Sequence, residues 1–354
     1  MESFAFWYKE SSGNNPNNGS ADEKTESKLS AVMNFNLWCE CGWKKPHSKE
    51  DEDPYLDIGF KIEHLEQAEE LYFFVPMKIN LNQIKDLGYK FNKTELVDAV
   101  FNERYETTIA ANTKTIYVES NNNRDDKFHI YQLDIMHDIR LEEFAEGTIL
   151  TLQTKNIING PKAKDTEAVT TYYFRFRIKD NKLAFLIHHY TTPHKVFQNL
   201  FRETYMIDFR YHNVRSLDKT LVEKFYEQCK HVVPITAIHF LLITKAYVDV
   251  SSDEFRSGAR TIEDDVWVNY VDRSSAEDTM DLVAYHYAKK QKSEKQSDET
   301  AKFIESSELF AKFQVEKSVL VWYILFTLLL GAVGSLLASG LIEILKILGT
   351  LWIK

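Results

Sequence analysis

Between Met33 and Val250 apolar and polar positions alternate in short runs rich in aromatic and β-branched residues. Segments 34–43, 55–64, 70–79, 114–120, 128–136, 148–155, 171–179, 182–190, 203–212 and 235–250 all read as strands, because such side chains suit a pleated, half-buried surface. Two segments repeat at helical spacing instead. One is 92–105, with Thr94 as its cap; the other is 216–230, with Leu221, Val222, Phe225 and Tyr226 on one face. Residues 156–165 read as a turn or exposed loop. The pattern predicts an α+β, β-rich domain of two packed sheets with helices at one side.

The two ends behave differently. Phe4, Phe6, Trp7 and Tyr8 form an aromatic cluster, followed by a polar, low-complexity stretch over 11–31. The stretch reads as a flexible linker. The cluster reads as an edge strand of its own domain or as a tag that docks on a neighbouring subunit. The expected division is therefore a tag and linker over 1–32 and a cytosolic ligand-sensing domain over 33–273. After Ser274, Ser275 and Asp278 stand at capping-box spacing. No Gly or Pro interrupts the chain from there to the apolar run that follows, so 274–317 is expected to be a helical stalk.

Residues 318–342 contain no charge. About 20 apolar residues cross a bilayer as a helix, so 318–354 is expected to hold a single C-terminal transmembrane helix and a short tail. The tail either extends that helix or lies in the interface. Along the span, Thr327, Gly331, Ser335 and Ser339 recur four apart and lead to Glu343, with Gly334 beside them. Lipid tails are as apolar as Leu, so membrane helices associate where small residues let backbones approach. This face suits a homo-oligomer in membrane lipid. Glu343 then reads either as the partner of Lys346 at the headgroup level or as a carboxylate ring at a pore mouth.

Charge and cysteine content narrow the classes. The chain has 354 residues and a net charge of −10, so bulk positive charge cannot carry nucleic-acid binding, and a polyanion site has to be a local patch. Three cysteines, Cys39, Cys41 and Cys229, argue against a disulfide scaffold and fit a reducing compartment. The N-terminus has no secretory signal pattern. The expected arrangement is single-pass in a membrane, with the N-terminal domain cytoplasmic.

No nucleotide-binding glycine loop, nucleophile elbow or zincin motif occurs. The expectation is a non-enzyme without a cofactor. Cys39 and Cys41, with His47 downstream, lack the second half of a zinc site, and the two cysteines read as core. His188, His189 and His194 cluster, but adjacent strand residues point to opposite faces. The strongest ligand signal is YYFRFRIK at 172–179. Alternation places Tyr173, Arg175, Arg177 and Lys179 on one face, a combination of ring and cations that suits a nucleotide or single-stranded nucleic acid. Arg210, with Arg202, His212 and Arg215, adds cations nearby in sequence.

The layout, ending in SVLVWYILFTLLLGAVGSLLASGLIEILKIL, resembles the membrane-effector subunits of bacterial anti-phage defence systems, most of all the effectors of the Hailong system. The resemblance implies an oligomeric channel in the bacterial inner membrane that depolarises it in abortive infection. It also implies control by a single-stranded DNA oligomer or nucleotide made by a partner nucleotidyltransferase. A tail-anchored adaptor that binds a protein at the membrane is the alternative reading.

Overall fold

The computed structural model describes residues 3–11, 29–39, 54–109, 113–162, 166, 168–180, 183–190, 202–228, 230–252, 256–271, 281–291, 303–316 and 320–352. It is an α+β, β-rich protein with a C-terminal apolar helix.

The first sheet contains β1 (Ala5–Glu10), β4 (Ala68–Val75), β9 (Ile139–Phe144), β10 (Gly147–Gln153) and β14 (His231–Val232), in the order β14-β1-β4-β10-β9. The second has ten strands. Nine run in the order β17 (Arg256–Thr261), β18 (Leu282–Lys290), β15 (Ile235–Lys245), β2 (Ser30–Trp38), β3 (Tyr55–Glu63), β11 (Tyr172–Lys179), β8 (Lys127–Tyr131), β7 (Thr115–Ser120) and β6 (Tyr105–Ile109), and β5 (Ile84–Asp86) also pairs with β11. The third sheet orders β12 (Ile187–Tyr190), β13 (Arg202–Tyr211), β19 (Ser307–Glu316) and β16 (Asp249–Ser252). The helices are α1 (Thr94–Phe101), α2 (Ile135–Asp138), α3 (Thr154–Ile158), α4 (Lys219–Glu227), α5 (Asp264–Tyr270) and α6 (Leu320–Trp352).

Alternation along the strands explains the layers. Ala31, Met33, Phe35 and Leu37 of β2 face the main core with Leu56, Ile58, Phe60 and Ile62 of β3 and Tyr172, Phe174, Phe176 and Ile178 of β11. Phe6, Leu71 and Phe73 of the first sheet and Ile207, Phe209 and Phe313 of the third pack against them. The opposite face of the ten-stranded sheet is covered in part by α1 and α5, around Tyr173, Leu96, Val97, Trp267 and Tyr270. The outer face of the first sheet buries Trp7, Tyr72 and Phe74 under Leu221 and Phe225 of α4.

Several sequence expectations are corrected. The N-terminal aromatic cluster is no docking tag: β1 is hydrogen-bonded to β4 on one side and to β14 on the other, and Phe4, Phe6, Trp7 and Tyr8 are buried. The linker over 12–28 lies outside the described residues. The expected helical stalk is replaced where it is described by β18 and β19. Helix-compatible composition loses here to pairing: β18 lies between β15 and β17, and β19 between β13 and β16. Ser275, Asp278 and residues 292–302 lie outside the described residues.

Thr94 does not cap α1. Lys93 holds the N-cap position, and the Thr94 hydroxyl meets that of Thr107 at 2.9 Å. In α4, Leu221 and Phe225 are buried as expected, while Val222 and Tyr226 are exposed. The loop expected at 156–165 overlaps the end of α3. Cys39 is fully buried, yet its sulfur is disulfide-bonded, so the reading against disulfides is corrected at this position. Cys41, Cys229, His47 and His194 lie outside the described residues.

Candidate functional site

Arg175 and Arg177 lie on one face of β11, as alternation requires, but that face is roofed over. Tyr173, Arg175 and Arg177 are all at most 1 % exposed. The period of two tells which side chains share a face and is silent on whether another layer covers it. The reading of these residues as an open ligand face is thus corrected. They form a buried polar network on the sheet.

The network centres on Asp57, directly opposite Arg177 on β3. Arg177 donates from Nε and Nη2 to the two carboxylate oxygens, at 2.6 and 3.0 Å. Trp38 Nε1 and the Tyr270 hydroxyl donate to Asp57 Oδ2 at 2.9 and 2.8 Å. Arg175 donates from Nε to the Tyr270 hydroxyl at 2.5 Å and from Nη1 to the Tyr173 hydroxyl at 2.8 Å. Asn36, with its amide oxygen turned toward Arg175, accepts from Nη2 at 2.6 Å. The Arg177 guanidinium also lies 3.9 Å from the centre of the Tyr55 ring.

Burial opposes charge on both guanidiniums, but the surrounding phenolic oxygens and Asp57 outweigh it, and both stay protonated. Burial pushes the Tyr270 hydroxyl well above the usual phenol range, so it serves as a neutral donor. Two guanidiniums thus share one carboxylate among the described residues.

The other expected cations stand apart. Lys179 is exposed at the end of β11. Arg210 lies on β13 in the third sheet, forked onto Asp208 at 2.8 Å and donating to the Ser216 hydroxyl at 2.5 Å. The structure brings Tyr173, Arg175 and Arg177 together and leaves Lys179 and Arg210 elsewhere.

Beside the network, on the same face of the ten-stranded sheet, a cleft of about 510 Å³ remains open. Strand register builds it. Arg175, Gly59, Asn34 and His239 form one row across β11, β3, β2 and β15. Tyr173, Lys61, Val32, Ala237 and Lys290 form a second, two residues along. His239 Nδ1 lies 3.0 Å from His286 Nε2 on β18, with the two rings stacked. Burial, then the His286 ring and Lys290, push His239 down to about 4. His286 is lowered by burial, Arg260 and Lys290. Both imidazoles are therefore neutral at pH 7.

Arg260 of β17 spans the cleft to the C-terminal end of α1, donating to Ala99 O at 3.1 Å and Asn102 Oδ1 at 3.3 Å. Sequence reasoning missed these groups. Alternation in ITAIHFLLITK and LVAYHYAKK does separate His239, His286 and Lys290 from the apolar face. Their meeting depends on pairing between strands that are far apart in sequence.

The remaining candidates lie on α6. Among the described residues this is the one helix long and apolar enough to cross a membrane, over Ile324–Leu348, with mean hydropathy 2.1 and none of that window buried. The tail continues the same helix to Trp352. A Cβ built on Gly331 or Gly334 meets nothing within 4 Å. The Ser339 hydroxyl donates back to Ser335 O at 2.9 Å, which satisfies it within the helix. Thr327 and Glu343 belong to the same helix as these small residues.

Comparison with known proteins finds no family model that matches the chain and no curated protein that matches it. The chemistry is read from the geometry alone.

Proposed function

We propose that the chain is a single-pass, oligomeric membrane effector in anti-phage defence, with its β-rich domain in the cytoplasm of a bacterium. In this reading α6 crosses the inner membrane and self-associates along Thr327, Gly331, Gly334, Ser335 and Ser339. The assembly conducts ions and depolarises the membrane. A nucleotide or single-stranded DNA oligomer bound to the soluble domain, supplied by a partner nucleotidyltransferase, sets its state. No catalytic step is assigned.

The observation that carries the reading is the apolar, uncovered window Ile324–Leu348 in α6. That window is roughly 37 Å long at 1.5 Å per residue, enough for a hydrocarbon core of about 30 Å. Coupling to the soluble domain is short. β19 ends at Glu316 and α6 begins at Leu320, so at most about 14 Å of chain separates a doubly paired strand from the helix. A shift in the third sheet would reach the membrane directly. A ligand needs only a few kcal/mol of preference to move such an assembly between two packings, about 5.5 kcal/mol for a swing from 1:99 to 99:1.

The test is to reconstitute the full chain in liposomes under a potassium gradient and follow a potential-sensitive dye. The reading expects a leak that disappears when residues 320–352 are exchanged for an unrelated apolar helix. A second reading is favoured by the burial of Arg175 and Arg177, which removes the open cationic face first expected to hold a ligand. In it the protein is a tail-anchored adaptor for a protein partner. An exchanged span that leaves cellular function intact would decide for the adaptor.

A further inference from the structure

The open cleft on the ten-stranded sheet has an unusual lining for this chain. Net charge is −10, yet Lys61, Arg260, Lys290, His239 and His286 line the cleft and, among the described residues, no carboxylate does. We infer that this cleft is the binding site for a small organic phosphate. The inference rests on the reading of the soluble domain as a ligand sensor and moves the site from the buried strand to its open neighbour.

Three features select the ligand class. The first is charge. Lys61 is ion-paired with Asp126. Arg260 meets neutral acceptors, Ala99 O and Asn102 Oδ1. Among the described residues neither Arg260 nor Lys290 has a carboxylate partner. Two such cations match a multiply charged group, and an Arg fork is shaped for phosphate oxygens.

The second feature is the histidine pair. His239 Nδ1 and His286 Nε2 stand at hydrogen-bond distance, so one ring donates and the other accepts. Whichever ring donates, two neutral imidazoles leave one N–H donor and one bare nitrogen on their outer edges. The pair can therefore hydrogen-bond an oxyanion while accepting from a hydroxyl of the same ligand. Asn34, directly opposite His239 on β2, adds a further amide.

The third is the apolar wall. Val32, Val100, Phe101 and Leu241 line the same cleft. Free phosphate would leave that wall unused, whereas an organic phosphate covers it with its carbon skeleton. The volume of about 510 Å³ lies inside the usual range for small-molecule sites, about 300–1,000 Å³.

The experiment is isothermal titration of the full chain in lipid nanodiscs with AMP, inorganic pyrophosphate and adenosine. Wild-type protein should bind AMP and pyrophosphate and fail to bind adenosine. Lys290→Ser and His286→Asn should each weaken AMP binding at least ten-fold. Lys290 is exposed at the end of β18, so its variant should fold normally, and circular dichroism checks this. Folded wild-type protein that binds neither phosphate probe at millimolar concentration would overturn the inference. So would AMP binding that both variants leave unchanged, or adenosine binding as tight as that of AMP. The liposome leak is scored separately. AMP binding without a leak retains the site and removes the effector reading; a leak without phosphate binding does the reverse.

Discussion

Arg177 grips both carboxylate oxygens of Asp57, its direct neighbour across the β3–β11 pair, where neither side chain reaches solvent. Asp57 is also the carboxylate nearest to hand for Arg175, through the Tyr270 hydroxyl. Removing one partner of a buried pair leaves an uncompensated charge and costs about 3–5 kcal/mol. Asp57→Ala is therefore predicted to lower the free energy of unfolding in urea by that order. Arg177→Met, which leaves Asp57 with two neutral donors, should cost stability as well. An Asp57→Ala protein as stable as wild type would sink the account of this network.

Gly59 faces the same network. A Cβ there would stand 2.4 Å from the Tyr173 hydroxyl and 3.0 Å from its ring carbon Cζ. That hydroxyl accepts from Arg175, so it cannot move without breaking a buried bond. Gly59→Ala is predicted to destabilise by about 1–3 kcal/mol, the range for overpacking. Gly59→Ala combined with Tyr173→Phe should recover part of the loss. A harmless single substitution, read by thermal unfolding, would contradict the close approach.

Acid should weaken the fold. Burial pushes His212 down to about 4, and the Phe6 N–H donates into its Nε2 at 3.0 Å, which requires the neutral ring. His239 is likewise held at about 4. An unfolded histidine titrates near 6.5, so below that pH the unfolded chain takes up protons that the folded chain refuses. Each histidine then withdraws on the order of 1–2 kcal/mol of stability by pH 5. Asp86 works the other way. Burial raises it to about 6 against the pull of the Gly88 and Leu133 N–H groups. Its contribution is present at low pH and lost as pH rises through 6. The urea midpoint is predicted to be lower at pH 5 than at pH 7.5, and the drop between the two to be larger in Asp86→Asn, which lacks the opposing titration. An unchanged or higher midpoint at pH 5 in the wild type would refute the assignment.

The small-residue face of α6 has an equally direct test. Gly331 and Gly334 have no neighbour within 4 Å of a built Cβ, so larger side chains there cost nothing within one chain. Gly331→Leu with Gly334→Leu is predicted to leave the soluble domain's unfolding unchanged. In native mass spectrometry it should shift the detergent-extracted protein toward monomer. A multimer of unchanged size would mean that this face does not carry association.

The third sheet should stand close to the bilayer. Asp249 and Thr204 both pair with Gln314, two residues before β19 ends. Tyr190 pairs with Thr204, and Tyr247 lies in the turn before Asp249; both are exposed. Tyr and Trp favour the headgroup level. A bimane label on Tyr247→Cys in nanodiscs should be quenched by headgroup-attached spin labels, and one on Val214→Cys, exposed after β13, should be quenched less. Equal quenching would remove this placement.

Much of the local structure was legible in the chain. Ten of its segments read as strands and carry strands, because aromatic and β-branched side chains alternate in them. The helical periods at 92–105 and 216–230 became α1 and α4, and the apolar run became α6. These features follow from neighbours in sequence. Pairing overturned the expected helix at LVAYHYAKK, since β18 is held between β15 and β17 and its preference follows those partners. Alternation grouped Tyr173, Arg175 and Arg177 correctly, but only the layer formed by α1 and α5 decided that they are buried. The meeting of His239 and His286 is a property of strand register, because the sequence holds no term for the distance between two remote residues. Local pattern determined which elements form and which side chains share a face; tertiary packing decided which faces are covered and which one is left open.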